Sequence, residues 1–188
     1  MAKTNKSRSQ FMSEEVFWDL IEETKSDDPQ DQLDHLVELL SSKSVEEILG
    51  FDYRLDKFLE KSYNPNLWAA GYIVCDGMSD DSFDYFRAWL ISKGKDVYES
   101  ALKNPDSLIS VFEKMNETDF PENEEILYAG LDAYEQVTEK DDFYDVIDSY
   151  EDDFQILEIK LNWDEDDPET LKNICPKLFE RYYEEPFY

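Results

Sequence analysis

The sequence predicts a single, mostly α-helical domain, and three observations lead to this prediction. Apolar residues recur at helical spacing in most segments of the chain. Signals for the start of a helix, a capping residue followed by proline or by glutamate, recur between those segments. The chain has 188 residues, of which 41% are hydrophobic, and no Gly/Ser-rich or Pro-rich linker divides it. A chain of this size buries one sizeable core.

Three start signals define the helices of the first third. Ser13 caps a helix with an apolar face, and Asp28-Pro29 combines a cap with proline at the first helical position. Ser44 and Glu47 have the spacing of a capping box and open a third helix. Asn64-Pro65 ends that helix, because a proline disrupts a helix interior.

The middle of the chain continues the helical pattern. Leu67–Cys75 is the most continuously apolar segment, and its low content of β-branched residues favours a central helix over a strand. Ser79 caps the next helix, and Gly94 is suited to end it. Asn104-Pro105 repeats the cap-plus-proline signal, and a further helix is predicted over Glu122–Thr138.

The final third is acidic and more irregular. From Glu139 to Glu169 there are fourteen acids and two lysines, a net charge of −12 over 31 residues. The alternation over Gln155–Trp163 is typical of a short strand, and Asp167-Pro168 starts a last helix. Four acids stand at spacings that predict one helix face, where like charges destabilise each other: Asp141, Asp145, Asp148 and Asp152.

These patterns predict a disordered tail over residues 1–12 and one helical domain over residues 13–188. The domain divides into a core, residues 13–138, and an acidic extension, residues 139–188. No apolar run has the length of a signal peptide or a membrane span. Cys75 and Cys175 are far apart and lie among apolar residues, as buried free thiols of a reducing compartment do. We therefore expect a soluble, cytoplasmic protein.

The charge of the chain is extreme. Asp and Glu number 47, Lys and Arg number 18, and the net charge is −29. Such a surface repels nucleic acid and anionic membranes, and it attracts basic proteins. The charge is explained either by solubility alone or by a docking surface for a basic partner, and the sequence leaves both explanations open.

A polar turn, Asp76–Asp81, separates the central helix from the next one. It is explained either as a helix cap, with Arg87 in a structural ion pair, or as a ligand site. The second interpretation predicts an aromatic cleft that binds a small ligand or a partner. The residues of that candidate site are Trp68, Tyr72, Ser79, Asp80, Asp81, Arg87 and Trp89.

Several kinds of chemistry find no support in the sequence. His35 is the only histidine, which excludes a histidine-rich zinc site and disfavours a Ser-His-Asp triad. There is no nucleotide-binding glycine pattern, and the acidic tract lacks the glycine of a calcium-binding loop. We therefore assign no catalytic residue, no metal and no cofactor, and we favour a protein that is not an enzyme.

Several motifs resemble a bacterial family called domain of unknown function 4240. They are Phe17-Trp18-Asp19-Leu20-Ile21, Leu67-Trp68-Ala69-Ala70, Asn104-Pro105-Asp106-Ser107-Leu108 and a central signature from Ser79 to Leu90. The resemblance covers roughly residues 13–137. It implies a soluble, mostly helical bacterial domain and brings no established activity. The family usually has Gly-Cys before the Ser-Asp-Asp motif, whereas this chain has Gly77-Met78. If that cysteine has a chemical role in the family, this chain lacks it, whereas a packing role would tolerate methionine.

Two functions are consistent with these observations. The first is a non-enzymatic interaction module, of immunity type or regulatory, that binds a basic protein. The second is a small-ligand or metal-binding protein, or an enzyme, that uses Asp80, Asp81 and Arg87. The exposure of these three residues distinguishes the two, because mutual burial weakens the second and a shared pocket supports it.

Overall fold

The computed structural model describes residues 7–116, 119–154 and 158–187. These residues form eleven α-helices, three short 3-10 helices and no sheet, which confirms the mostly α-helical fold. The 3-10 helices are Arg8–Gln10, Pro105–Leu108 and Glu125–Tyr128. The α-helices are α1 (Glu14–Thr24), α2 (Pro29–Ser41), α3 (Val45–Ser62), α4 (Pro65–Val74), α5 (Asp80–Ser92), α6 (Lys95–Lys103), α7 (Ile109–Phe112), α8 (Ala129–Thr138), α9 (Phe143–Ile147), α10 (Pro168–Ile174) and α11 (Pro176–Tyr182).

Local capping sets the start of the early helices. Ser13 accepts a hydrogen bond from the Val16 amide and begins α1. Ser44 and Glu47 form the reciprocal capping box of α3, so two otherwise unpaired amides of its first turn are satisfied. Asn64 caps α4 through the Leu67 amide at 2.9 Å.

Aromatic side chains join the helices through a continuous core. Phe17 of α1 lies against Phe51 and Phe58 of α3, with ring centroids 5.0 Å apart in both pairs. Trp89 of α5 stacks on Phe112 of α7 at 5.4 Å. All five rings are buried, and aromatic burial of this kind is the main favourable contribution to folding. None of the helices in the described parts of the chain is both long and apolar enough to cross a lipid bilayer.

The acidic extension is attached to the core by polar contacts to backbone groups. The buried Asp106 carboxylate accepts hydrogen bonds from the amides of Lys177 and Leu178, both at 2.9 Å, in the first turn of α11. The Trp163 indole donates to the Pro65 carbonyl at 2.8 Å. These contacts dock two separate parts of the extension on the region around α4.

The strand expected over Gln155–Trp163 is not observed. Residues 155–157 lie outside the described residues, and residues 158–163 contain no strand. A strand needs a neighbour with which to form its ladder, and the described chain contains no other strand there. Trp163 instead turns inward to contact α4, which the alternating pattern does not anticipate.

The prediction of a disordered tail over residues 1–12 does not hold for residues 7–12, which are ordered. Residues 1–6 lie outside the described residues. Ser7–Phe11, which we call the strap, contains the first 3-10 helix and runs along α3. Arg54 of α3 donates hydrogen bonds to the Met12 and Ser9 carbonyls, both at 2.7 Å. Met12 is buried, so this part of the chain belongs to the fold.

Gly50 permits the close approach of the strap to α3. A Cβ atom at Gly50 would lie 2.8 Å from the Met12 amide nitrogen and from the Phe11 carbonyl carbon. These are backbone atoms, so a side chain at this position forces the strap and α3 apart.

We therefore predict that Gly50→Ala destabilises the protein by about 1–3 kcal/mol, as overpacking does, although alanine favours a helix over glycine. Urea denaturation measures this change. Gly71→Ala is the control, because the close contacts of a Cβ there are with the flexible end of Met78, which can move away, and its contact with Phe86 at 3.5 Å is an ordinary one. Equal stability of Gly50→Ala and the wild type would contradict the tight contact.

Candidate functional site

The predicted turn is a helix cap in the structure. The Ser79 hydroxyl accepts a hydrogen bond from the Ser82 amide at 3.2 Å and begins α5. Asp80 and Asp81 follow in the first turn of α5 and are exposed to solvent. Carboxylates at this end of a helix are favoured by its dipole, which accounts for their presence without a ligand.

Arg87 is part of the packed interior rather than of a site with Asp80 and Asp81. Its side chain pairs with Asp84, one helical turn earlier, and donates to the Leu59 carbonyl. The guanidinium also lies over the rings of Tyr63 and Phe83, at 4.8 and 5.0 Å from their centroids. Arg87 is 6% exposed, whereas the Asp84 side chain is 54% exposed. The ion-pair interpretation therefore describes Arg87.

The three aromatic residues of the predicted cleft pack against different rings. Trp68 stacks on Phe83 with centroids 4.6 Å apart, and its indole donates to the Met78 carbonyl. Tyr72 lies against Trp163 of the extension. Trp89 is buried against the ring of Phe112. Trp68 and Arg87 thus share contact with the Phe83 ring, whereas Tyr72 and Trp89 contact other rings, and Asp80 and Asp81 are exposed to solvent.

The two cysteines are unsuited to nucleophilic chemistry. Both are buried free thiols. Burial raises the pKa of Cys75 and of Cys175 to about 12, so both are protonated at neutral pH. Among the described residues, no three His, Cys, Asp or Glu side chains are placed to hold a metal ion.

The strongest polar cluster in the described chain surrounds Arg8, which the sequence pattern did not identify. Arg8 is only 1% exposed, and its Nε lies 2.6 Å from Oδ2 of Asp152. Its Nη1 lies 2.6 Å from Oδ2 of Asp52 on α3. The rings of Tyr53 and Phe154 each lie 5.9 Å from the guanidinium carbon. One cation thus connects the strap, α3 and the acidic extension.

The cluster holds more negative than positive charge. Asp56 Oδ2 is 3.9 Å from Nη2 of Arg8, so three carboxylates surround one guanidinium. Removal from water, followed by the charge of Asp52, raises the pKa of Asp56 to about 7, although 45% of its side chain remains exposed. Burial raises the pKa of Asp52 as well, and Arg8 opposes that shift. Three carboxylates around one guanidinium therefore disfavour full ionisation of the cluster.

The four acids of the predicted helix face separate in the structure, because α9 ends at Ile147. Asp141, Asp145 and Asp148 are exposed, whereas Asp152 turns inward and accepts hydrogen bonds from the Arg8 amide and side chain. A groove of about 400 Å³ opens beside this contact. It is lined by Arg8, Ile147, Asp148, Tyr150, Glu151, Asp152 and Phe154.

A comparison with known protein families found a match. The family described as "Protein of unknown function (DUF4240)" matches residues 12–136, which is more than half of the chain. The chain belongs to the DUF4240 family. The membership expected from its motifs is thereby confirmed. No curated protein and no solved structure matches the chain.

The DUF4240 match includes only part of the Arg8 cluster. Asp52 and Asp56 on α3 lie inside residues 12–136, whereas the strap and Asp152 lie outside them. The signal for this cluster in the sequence is weak: Arg8 is a cation within a stretch, residues 1–13, that contains no acid. Met78 packs against Gly71, and its carbonyl accepts a hydrogen bond from the Trp68 indole, consistent with a packing role.

Arg87 and Asp84 should contribute unequally to stability. We predict that Arg87→Ala lowers the free energy of unfolding by about 1–3 kcal/mol, because the Leu59 carbonyl loses its donor. Asp84→Ala should lower it by less than about 1 kcal/mol, because this exposed carboxylate gains little from an ion pair. Chemical denaturation of both variants tests the difference, and equal losses would show that the ion pair itself is what stabilises.

Asp56 should make stability depend on pH. Its raised pKa means that the folded state binds a proton more readily than the unfolded state between about pH 4 and 7. Stability contributed by the protonated carboxyl is therefore lost as the pH rises through about 7. We predict that Asp56→Asn raises the melting temperature at pH 8 and leaves it nearly unchanged at pH 4. Asp31→Asn on α2 is the control, and a parallel shift at both pH values would refute this prediction.

Proposed function

We propose that the protein is a non-enzymatic interaction module, of immunity type or regulatory, that binds a basic partner protein at the groove beside Arg8. The net charge of −29 favours such a partner, because it attracts cations and repels nucleic acid. The observation that carries the proposal is the composition of the groove. Two exposed carboxylates line it without an ion-pair partner among the described residues, and apolar and aromatic side chains line it as well.

The carboxylates of the groove are available to a partner. Asp148 and Glu151 line the groove and are exposed. No ion pair among residues 7–116, 119–154 and 158–187 involves either of them. Unpaired acids at this density repel each other, and a basic partner relieves that repulsion.

The apolar lining residues suit the side chains of a basic segment. Ile147, Tyr150 and Phe154 line the same groove. Lysine and arginine have long apolar stems that pack on such surfaces while the charged group reaches a carboxylate. An aromatic face also attracts the cation directly. The groove therefore fits an extended lysine- or arginine-containing segment better than an uncharged one.

The alternative, a small-ligand or metal-binding protein or an enzyme that uses Asp80, Asp81 and Arg87, has less support. Arg87 is paired with Asp84 and the Leu59 carbonyl, and the two aspartates face solvent at the start of α5. The cysteine thiols are protonated at neutral pH and do not provide a nucleophile in place of these residues.

The test compares two variants of equal charge. Proteins retained from a lysate at low salt are released with a salt gradient, and a purified basic protein from that fraction is titrated into each variant by calorimetry. We predict that Asp148→Asn with Glu151→Gln weakens binding about tenfold, which corresponds to about 1.4 kcal/mol. Asp31→Asn with Glu38→Gln, two exposed acids on α2, should change it little.

Salt provides the second measurement for the same partner. Binding through exposed carboxylates is screened, so the affinity should fall steeply as the ionic strength rises. Equal weakening by both double variants would point to the overall charge rather than to the groove. Affinity that does not change with salt would exclude the proposed interaction.

A further inference from the structure

The groove already contains a basic group of the same chain. Residues 1–13 include Lys3, Lys6 and Arg8 and no acid, so this stretch has the composition expected of a basic partner. Arg8 reaches the groove from the strap and is almost completely buried there. It lines the groove together with Asp148 and Glu151. A side chain of the same protein therefore already occupies part of the groove.

The contacts of Arg8 define a site that is specific for a guanidinium group. Its Nε and Nη1 reach two carboxylates on opposite sides, Asp152 and Asp52, each at 2.6 Å. The rings of Tyr53 and Phe154 lie at 5.9 Å from the guanidinium carbon. A flat, forked cation satisfies both carboxylates at once, whereas the compact ammonium group of lysine does not.

The strap is held mainly by side chains. The Arg8 amide and the Ser7 hydroxyl both donate to Asp152, at 2.9 and 3.0 Å. Arg54 donates to two strap-side carbonyls, and the Phe11 ring packs edge-on against Tyr150 at 5.5 Å. The strap contains a 3-10 helix of three residues and no longer element. It continues into α1 through Met12 and Ser13, so its release does not require α1 to unfold.

We infer that the strap is an internal competitor, and that an arginine of the basic partner displaces Arg8 from its site between Asp52 and Asp152. The inference rests on the proposed function. It specifies that the basic partner binds through a segment that contains arginine, and not through one that contains lysine alone. The partner's arginine takes over both carboxylates, and the released strap uncovers the adjoining surface of α3. Arg8 thereby lowers the apparent affinity for weak basic ligands and selects for guanidinium groups.

Hydrogen exchange on the unmodified protein tests the displacement. The probes are a hexa-arginine and a hexa-lysine peptide, added at concentrations that saturate binding. We expect hexa-arginine to increase exchange at the amides of Arg8 and Phe11, whose hydrogen bonds go to Asp152 and to the Arg8 carbonyl. We expect hexa-lysine to leave them protected. Protection that persists with hexa-arginine bound would overturn the inference.

An arginine deletion tests the competition. R8A should bind hexa-arginine about tenfold more tightly than the wild type, because no internal occupant must leave, and its affinity for hexa-lysine should change less. Arg181→Ala is the matched control, since it removes the same charge from an exposed ion pair with Glu185. An equal gain in both variants, or for both peptides, would reduce the effect to net charge and overturn the inference.

A further measurement shows whether R8A folds with an empty guanidinium site, and peptide binding tests the proposed function independently. Methylguanidinium at millimolar concentration should raise the melting temperature of R8A but not of Arg181→Ala, with sodium chloride as the ionic control, because only R8A has an empty guanidinium site. If R8A does not fold, the exchange experiment on the wild type decides. Failure of both peptides to bind would count against the proposed function, whereas binding without strap release counts only against the competitor.

Discussion

The structure depends on how a chain of net charge −29 places its few strong cations. It has four arginines, and three of them, Arg8, Arg54 and Arg87, act inside the fold. Each connects segments that are distant in sequence by reaching carboxylates or backbone carbonyls. This use of arginine satisfies part-buried acceptors between segments. Most of the acids outside these contacts have no arginine partner, because only four arginines accompany 47 acids.

The first two thirds of the fold followed from local signals. Ser13, Asp28, Ser44 and Asn64 cap the helices that the sequence predicted from them, because capping acts over three or four residues and is visible in the sequence. The extension did not follow in the same way. Its arrangement is determined by contacts across the chain, such as Trp163 with the Pro65 carbonyl, and an alternating pattern contains no information about such partners.

The candidate site shows the same division. The roles of Ser79 and Arg87 agree with the local interpretation, a cap and an ion pair within one helix. The cluster at Arg8 could not be derived, because Asp52 and Asp152 lie 44 and 144 residues away in the sequence. In a chain with 47 acids, the number of candidate partners for any arginine is too large for spacing to select among them. Burial, which only the fold supplies, is what distinguishes Arg8.

The position of the strap determines which cations can bind favourably at the acidic groove. A partner that meets only exposed acids gains a weak, screened attraction. A partner that displaces Arg8 must replace an ion pair whose two members belong to one chain, and such an intramolecular contact has a high effective concentration. A lysine-rich or diffuse polycation does not form the forked contact with Asp52 and Asp152, so it does not compensate for the lost ion pairs of Arg8. In the proposed interaction, the internal arginine converts general attraction for cations into a requirement for a correctly placed guanidinium group. Selectivity then arises because every ligand that cannot make both contacts is opposed.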